Sequence, residues 1–478
     1  MKDKAKKPRG LFDSAMSRRE ALALLGRAGG LAGLAALGFP QPLPAGEPKK
    51  KSNIIFILTD DHRWDCLGAR GHPWLKTPTL DRLAAEGVLF ENAFVTTSLC
   101  SPSRASFLTG QYASVHGIRN NFTTWDEEKN ITFPQRLNQA GYDCAFIGKW
   151  HMPGGNLPRL PGIDPFVSFT ALDGQGRYFN CPLFLNGRPV PNRTPYITEE
   201  LTEYALDFVK KDRERPFCLY LSHKAAHHDF RPPDHIKGMY DNADLSHLAP
   251  ESDKYNTWTN NNWLEGTMGD MHTVYRRYCE CLTSVDEQLG RLLAVLEEKK
   301  LLDDTMIVYA GDNGYIWGEH RYYAKHYPYE ESIRIPFIVK PARGRPSTSG
   351  ARDKRMVLNI DLAPTLMHLA GLAIPHDMQG ESFLPLLESP TAPGRPAFVY
   401  ELFKDFPFGG RVPPNKALRT ERYKYIEWEA CRGPELYDLE QDPREMYNLM
   451  EIEAGRTLAP ELSRQLEDLK KRYHLVSG

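Results

Sequence analysis

Four short runs of apolar residues recur along the chain, and each stops at a cluster of polar side chains. Asn53 to Thr59 (Asn-Ile-Ile-Phe-Ile-Leu-Thr) ends at Asp60-Asp61. Cys144 to Gly148 runs into Lys149-Trp150-His151, Phe217 to Leu221 into His223 and His227, and Met306 to Ala310 into Asp312-Asn313. A continuous apolar run without alternation is what a strand covered on both faces requires. Between these runs helical spacing recurs over Thr79 to Glu86 (closed by Gly87), Glu199 to Lys211, Tyr275 to Lys300, and Asp361 to Ala370 (closed by Gly371). The alternation predicts an α/β fold with a mostly parallel sheet between helices. Ligands gather at the carboxyl ends of such strands, where these polar clusters fall.

The stretch from about 340 to 356, rich in Pro, Gly, Ser and Arg, predicts a surface loop, and Ser389 to Pro396 a boundary. The chain is thus expected to divide into a main α/β domain over 46–390 and a smaller α+β subdomain over 391–478. In the latter, Ala417 to Glu427 and Leu436 to Leu439 predict an antiparallel unit and a helix starts near Ala459. Residues 1–45 stand apart from the fold. Ser17-Arg18-Arg19-Glu20-Ala21-Leu22, a weakly apolar stretch to Phe39 and a Pro-rich tail to Ala45 resemble a twin-arginine export signal. That resemblance implies the twin-arginine translocase as a partner, cleavage near Ala45 and a periplasmic or extracellular location. Arg27 and several glycines interrupt the apolar stretch, which speaks against a membrane anchor needing about 20 apolar residues.

With 478 residues, a net charge of -1, 41% hydrophobic and 25% charged residues, the chain is of ordinary globular composition and carries no global basic field for nucleic acid. An anionic ligand must therefore be held by local cations. Of the eight cysteines, at 66, 100, 144, 181, 218, 279, 281 and 431, one is a candidate for chemistry. The seven left over argue against a complete disulfide framework.

That one is Cys100, which opens Cys100-Ser101-Pro102-Ser103-Arg104-Ala105-Ser106-Phe107-Leu108-Thr109-Gly110. Pro102 fits a first helical turn and Gly110 a left-handed helix end, so Cys100 lies beside the unpaired N–H groups of a helix start. Arg104 follows one turn along, where its guanidinium can hold oxygens carried by residue 100. Asp60, Asp61, Asp312 and Asn313 offer only hard oxygen ligands, which select Ca²⁺ or Mg²⁺ over softer metals. Lys149 and His151, two apart at a strand's end, can face one cleft. Taken singly, each Asp is as ordinary at a cap or turn, and each Lys or Arg as a surface charge.

The Cys100 segment resembles the signature of the type I sulfatases, in which this Cys is oxidised to formylglycine. Gly148-Lys149-Trp150-His151 reproduces another family run, and Ser222-His223-Lys224-Ala225-Ala226-His227 resembles a third, with Ala226 where the family commonly has Pro. Lys325 matches the lysine that contacts the sulfate ester, and Glu435-Leu436-Tyr437-Asp438-Leu439 with Asp442-Pro443 is similar to the family's C-terminal region. The resemblance spans Asn53 to about Leu449. It implies an alkaline-phosphatase-like α/β sandwich, a sulfated substrate, and a maturing enzyme that generates the formylglycine. It also implies one divalent cation, usually calcium, held by Asp60, Asp61, Asp312, Asn313 and residue 100. By the same resemblance Arg104, Lys149 and Lys325 bind the sulfate. Hydrated formylglycine attacks sulfur while His227 protonates the leaving alcohol, and His151 then drives release of sulfate from the covalent sulfo-enzyme.

Gly174-Gln175-Gly176-Arg177-Tyr178-Phe179 resembles the N-acetylglucosamine-6-sulfatase or glycan-desulfating branch, which makes Arg177, Tyr178, Phe179, Lys224 and Arg231 candidates for a sugar pocket in a glycosaminoglycan, mucin or algal glycan desulfatase. Two readings stand beside it: a phosphonate monoester or phosphodiester hydrolase of the same superfamily, and a non-catalytic binder of sulfated glycan with Cys100 unmodified.

Overall fold

The computed structural model describes residues 51–152, 157–248, 270–344, 349–404, 412–429 and 433–475. The predicted export segment, residues 1–45, lies outside the described residues, as does Cys431.

Twelve strands precede the C-terminal region: β1 Asn53–Thr59, β2 Val88–Phe94, β3 Asp143–Gly148, β4 Ile163–Ser168, β5 Leu183–Leu185, β6 Arg188–Val190, β7 Phe217–Ser222, β8 Thr305–Gly311, β9 Ile316–Trp317, β10 Tyr323–Ala324, β11 Phe337–Lys340 and β12 Ala351–Leu358. Ten form one sheet in the order β12-β2-β11-β8-β1-β7-β3-β4-β5-β6, while β9 and β10 pair as a separate ribbon. The four predicted apolar runs are β1, β3, β7 and β8, adjacent and mutually parallel at the centre. Along β1, Ile54, Phe56 and Leu58 enter one core while Ile55 and Ile57 enter the other, which is why the run shows no polar alternation.

Helices cover both faces. On one lie α1 Pro78–Glu86, α4 Ile197–Lys210 and α5 Met271–Glu298; on the other lie α2 Cys100–Thr109, α3 Phe133–Gln139 and α6 Leu362–Leu369. Asp270 caps α5 by accepting from the Thr273 N–H at 3.0 Å. No helix among the described residues is long and apolar enough to cross a membrane.

The second, antiparallel sheet runs β13 Ala397–Leu402, β14 Asn415–Thr420, β15 Tyr423–Trp428 and β16 Glu435–Asp438, with α7 Glu453–Arg472 packed on it. It is fastened to the larger sheet by Phe94 against Phe398, ring centres 5.1 Å apart, and by the Glu401 N–H donating to the Thr96 carbonyl at 2.9 Å. The buried Lys424 ammonium adds an ion pair to Glu330 at 3.0 Å.

Two elements differ from expectation. The loop predicted over 340–356 contains β12, an edge strand parallel to β2; its outer half alternates charged, exposed residues with partly buried ones, and that polar alternation masks the strand. Helix α7 begins at Glu453 and runs through Pro460 rather than starting beside it.

Candidate active site

Backbone hydrogen bonds stitch the ends of the four central strands together. The Asp312 N–H donates to the Thr59 carbonyl at 2.8 Å, the Ala226 N–H to the Asp60 carbonyl at 2.8 Å, and the Lys149 N–H to the Ser222 carbonyl at 2.8 Å. The polar residues following each strand are thereby brought to one point. Facing them, α2 opens at Cys100, with extended Leu99 before it, and closes at Gly110, whose φ of 73° is the left-handed helix end predicted. Every residue of this helix is buried.

Cys100 Sγ lies 3.6 Å from Asp60 Oδ1 and 2.7 Å from the Lys325 ammonium, which also donates to Asp61 Oδ1 at 2.5 Å. Arg104 is fully interior rather than a surface cation. Its Nε donates to Asp312 Oδ2 at 2.9 Å, its Nη2 lies 3.2 Å from Asp60, and its Nη1 donates to Ser222 Oγ at 2.6 Å and the Lys149 carbonyl at 3.1 Å. The Lys149 ammonium pairs with Asp60 Oδ2 and donates to Gln175 Oε1 at 2.6 Å. Three buried cations thus surround residue 100.

Oxygens of Asp60, Asp61 and Asp312 lie within 4.8 Å of one another. The Asn313 amide nitrogen donates to Asp61 Oδ1 at 2.6 Å and to the Gly314 carbonyl at 2.8 Å, which leaves Asn313 Oδ1 buried without a hydrogen-bond partner. A buried, unpartnered amide oxygen on a residue bonded to one of three clustered carboxylates completes an all-oxygen donor set of the kind a hard divalent cation takes, so these four residues fit one.

Burial and the Asp60 charge raise the Asp312 carboxyl to about 6, and burial likewise raises Asp61. Burial opposes ionisation of Asp60 too, yet Lys149, Arg104 and Lys325 together hold it well below the usual carboxylate range. Burial and Asp60 push the Cys100 thiol up to about 12, against the lowering expected at a helix start, so an unmodified Cys100 is a poor nucleophile near neutral pH.

His227 comes close: one of its ring nitrogens lies within 4.8 Å of both Cys100 Sγ and an Asp60 oxygen. His151 follows Lys149 with a φ of 53°, and the Ser101 hydroxyl donates to its carbonyl. In both histidines Nδ1 is buried without a hydrogen-bond partner, and burial together with neighbouring cations holds the imidazole well below its ordinary pKa. His223 is also buried, its backbone N–H donating to the Leu58 carbonyl at 2.8 Å, whereas the His228 ring lies tilted against His227 with centroids 4.2 Å apart.

The residues predicted for a sugar pocket are less tightly gathered. Lys224 is buried over the Tyr178 ring at 4.8 Å, Arg231 stands over Phe179 at 5.6 Å, and Arg177 is exposed. Among the described residues, the Arg177 and Lys224 side chains make no hydrogen bond or ion pair to Asp60, Cys100, Arg104, Lys149 or Lys325, and Lys224 touches the site through its carbonyl, which accepts from the His227 N–H at 2.9 Å. Two participants escaped sequence reasoning, Ser222 and Gln175. Ser222 ends a strand already singled out, and Gln175 lies between two glycines in a segment singled out for its sugar-facing neighbours.

Buried cations gathered around one side chain, with a place for a divalent ion beside it, suit transfer of an anionic group at the end of a parallel sheet. The class is that of hydrolases with an alkaline-phosphatase-like fold. Residues 52–372 match the sulfatase family and residues 318–472 match the N-sulphoglucosamine sulphohydrolase C-terminal family. The chain belongs to the sulfatase family and is a sulfuric ester hydrolase. It is 29% identical to an N-acetylglucosamine-6-O-sulfatase of Bacteroides thetaiotaomicron, over 90% of this chain and 88% of that one. It is also 30% identical to an ulvan-active sulfatase of Formosa agariphila, over 87% and 80% of the respective chains. A protein solved in complex with its substrate D-glucosamine-2-N,6-O-disulfate superposes with a TM-score of 0.79 at 29% identity, covering 89% of this chain and 98% of that one.

Proposed function

We propose that this protein hydrolyses a sulfate monoester on a sulfated carbohydrate, with residue 100 as the nucleophilic position. The observation that carries the reading is the convergence of Arg104, Lys149 and Lys325 on Cys100 beside the Asp60, Asp61, Asp312 and Asn313 oxygens. A sulfate ester's oxygens repel an incoming nucleophile, so the site must cancel charge while orienting the attack. The three cations do the first, and their fixed partners do the second.

Oxidation of Cys100 to formylglycine would supply, as the hydrate, one hydroxyl to attack sulfur and a second whose deprotonation would expel sulfate together with the first oxygen and restore the aldehyde. A divalent cation held by Asp60, Asp61, Asp312 and Asn313, Ca²⁺ or Mg²⁺ by the hardness of its donors and calcium by the family resemblance, would add fixed positive charge and acidify the attacking hydroxyl. His227 stands where it can give a proton to the departing alcohol. In the free site burial, His228 and nearby lysines hold its imidazole well below its ordinary pKa, and the negative charge of an arriving sulfate acts in the opposite direction, favouring the imidazolium the acid role needs. His151, also neutral, is poised to accept a proton in the release step.

The glycan-active relatives support a sulfated sugar, with a 6-sulfated glucosamine as the first candidate. The paired arginines Arg18-Arg19 support export by the twin-arginine route to the periplasm or beyond. Purified, matured protein should release inorganic sulfate from at least one 6-O-sulfated glucosamine, and faster than it cleaves a phosphonate monoester or phosphodiester of the same alcohol. The reverse preference would transfer the protein to the phosphonate ester hydrolases, and binding without release would make it a lectin-like receptor.

A further inference from the structure

We infer that Gln175 is a positioning residue that aims the Lys149 ammonium at the sulfate. An ammonium has three N–H donors. Of those on Lys149, one goes to Asp60 Oδ2 and one to Gln175 Oε1 at 2.6 Å. These acceptors come from different elements, the end of β1 and the loop after β4, so two fixed directions determine the third, which remains for a sulfate oxygen. With Asp60 as sole partner the flexible lysine stem would leave the remaining donors free to rotate about one contact.

The loop is built to hold Gln175 there. Gly174 and Gly176 flank it with φ of 88° and 75°. A Cβ on Gly176 would meet the Phe169 ring at 2.5 Å, and one on Gly174 would come 3.2 Å from the His151 Cα. Three residues after Gln175, the buried Tyr178 hydroxyl donates to the His227 carbonyl at 2.6 Å. One short segment therefore contacts both the sulfate-binding lysine and the backbone of the proton donor. A neutral acceptor is the required chemistry at 175, since a carboxylate would pair with Lys149 and cancel the charge the anion needs.

The inference rests on the sulfatase reading, and its test separates the two. Matured wild type, Gln175→Leu and Gln175→Glu are compared by steady-state kinetics on a sulfated sugar ester, by calorimetric titration with inorganic sulfate, and by thermal melting. Gln175 is only half-buried, so both variants should melt within about 2 °C of wild type. Gln175→Leu should lower kcat at least about tenfold while KM changes less than about threefold, because alignment rather than charge is lost. Gln175→Glu should weaken sulfate binding and raise KM by at least about tenfold, because charge is lost. Wild-type kcat in Gln175→Leu, or wild-type sulfate affinity in Gln175→Glu, overturns the assignment. A wild-type protein that neither binds sulfate nor cleaves its esters overturns the sulfatase reading instead.

Discussion

Arg104 offers the most demanding test of the site, because its removal has two separable costs. Its guanidinium ties Asp312 and Asp60 from one side and donates to Ser222 Oγ and the Lys149 carbonyl from the other, all at about 1% exposure. Arg104→Met leaves two buried carboxylates short of a counter-charge, which costs about 3–5 kcal/mol. Arg104→Lys keeps the charge but has no planar fork. It forfeits the Ser222 and Lys149 bonds, at about 1 kcal/mol each plus the penalty for acceptors left bare. For a chain of this length about 1 kcal/mol corresponds to about 1 °C in melting midpoint, so losses of about 3–5 °C and 2–3 °C are expected. Catalysis should fall further than stability. Losing one preorganised cation from an anionic transition state costs about 10²–10³ in kcat/KM, and the lysine variant should recover less than a tenth of it. Melting by calorimetry and kcat/KM on one sulfated sugar, measured on the same preparations, give both numbers. Wild-type kcat/KM in Arg104→Met would refute the role of these cations, and an unchanged melting point would refute the buried bridge.

Further expectations follow from the same geometry. Chelation of divalent ions should abolish sulfate release and Ca²⁺ should restore it, whereas Asn313→Ala, which deletes the orphaned amide oxygen, should raise the Ca²⁺ needed for half-restoration by about tenfold. His227→Gln should slow esters of sugar alcohols by about 10²–10³ but aryl sulfates much less, because a phenolate leaves without a proton; equal losses on both would remove His227 from the acid role. Glu401 is fully buried, its Oε1 accepting from the Ser114 N–H at 2.8 Å, and burial raises its carboxyl from 4.5 to about 7. The folded protein thus holds this proton more tightly than the unfolded chain. The associated stability is fully present below about pH 4.5 and lost as pH rises through about 7, so Glu401→Gln should gain about 2–4 kcal/mol over wild type at pH 8 and little at pH 4.5. Melting curves at the two pH values check it, and equal shifts at both would contradict it.

The centre of the fold was legible because strands covered on both faces cannot alternate: Ile54 through Leu58 serve two cores at once, and the polar residues just beyond each strand become conspicuous. Strand β12 was not, since an edge strand with Arg352, Lys354 and Arg355 in or beside its exposed rows carries the composition of a loop. The roles of Asp60, Asp61, Cys100 and Lys325 are joined by contacts spanning 40 to 264 residues, which motifs can suggest but only a fold can measure. Gln175 stands inside the Gly174 to Phe179 run, but nothing in that run assigns it a role. Its significance is its reach to Lys149, and a lone Gln between glycines reads as a turn until that distance is known.

Turnover by this site requires residue 100 to be a formylglycine in the working enzyme. Trypsin, cutting after Arg82 and Arg104, releases the peptide Leu83 to Arg104 that contains it. From protein of full sulfatase activity, mass measurement should find this peptide about 18 Da lighter than its cysteine form. Full activity with the peptide at the mass of an unmodified cysteine would contradict the account.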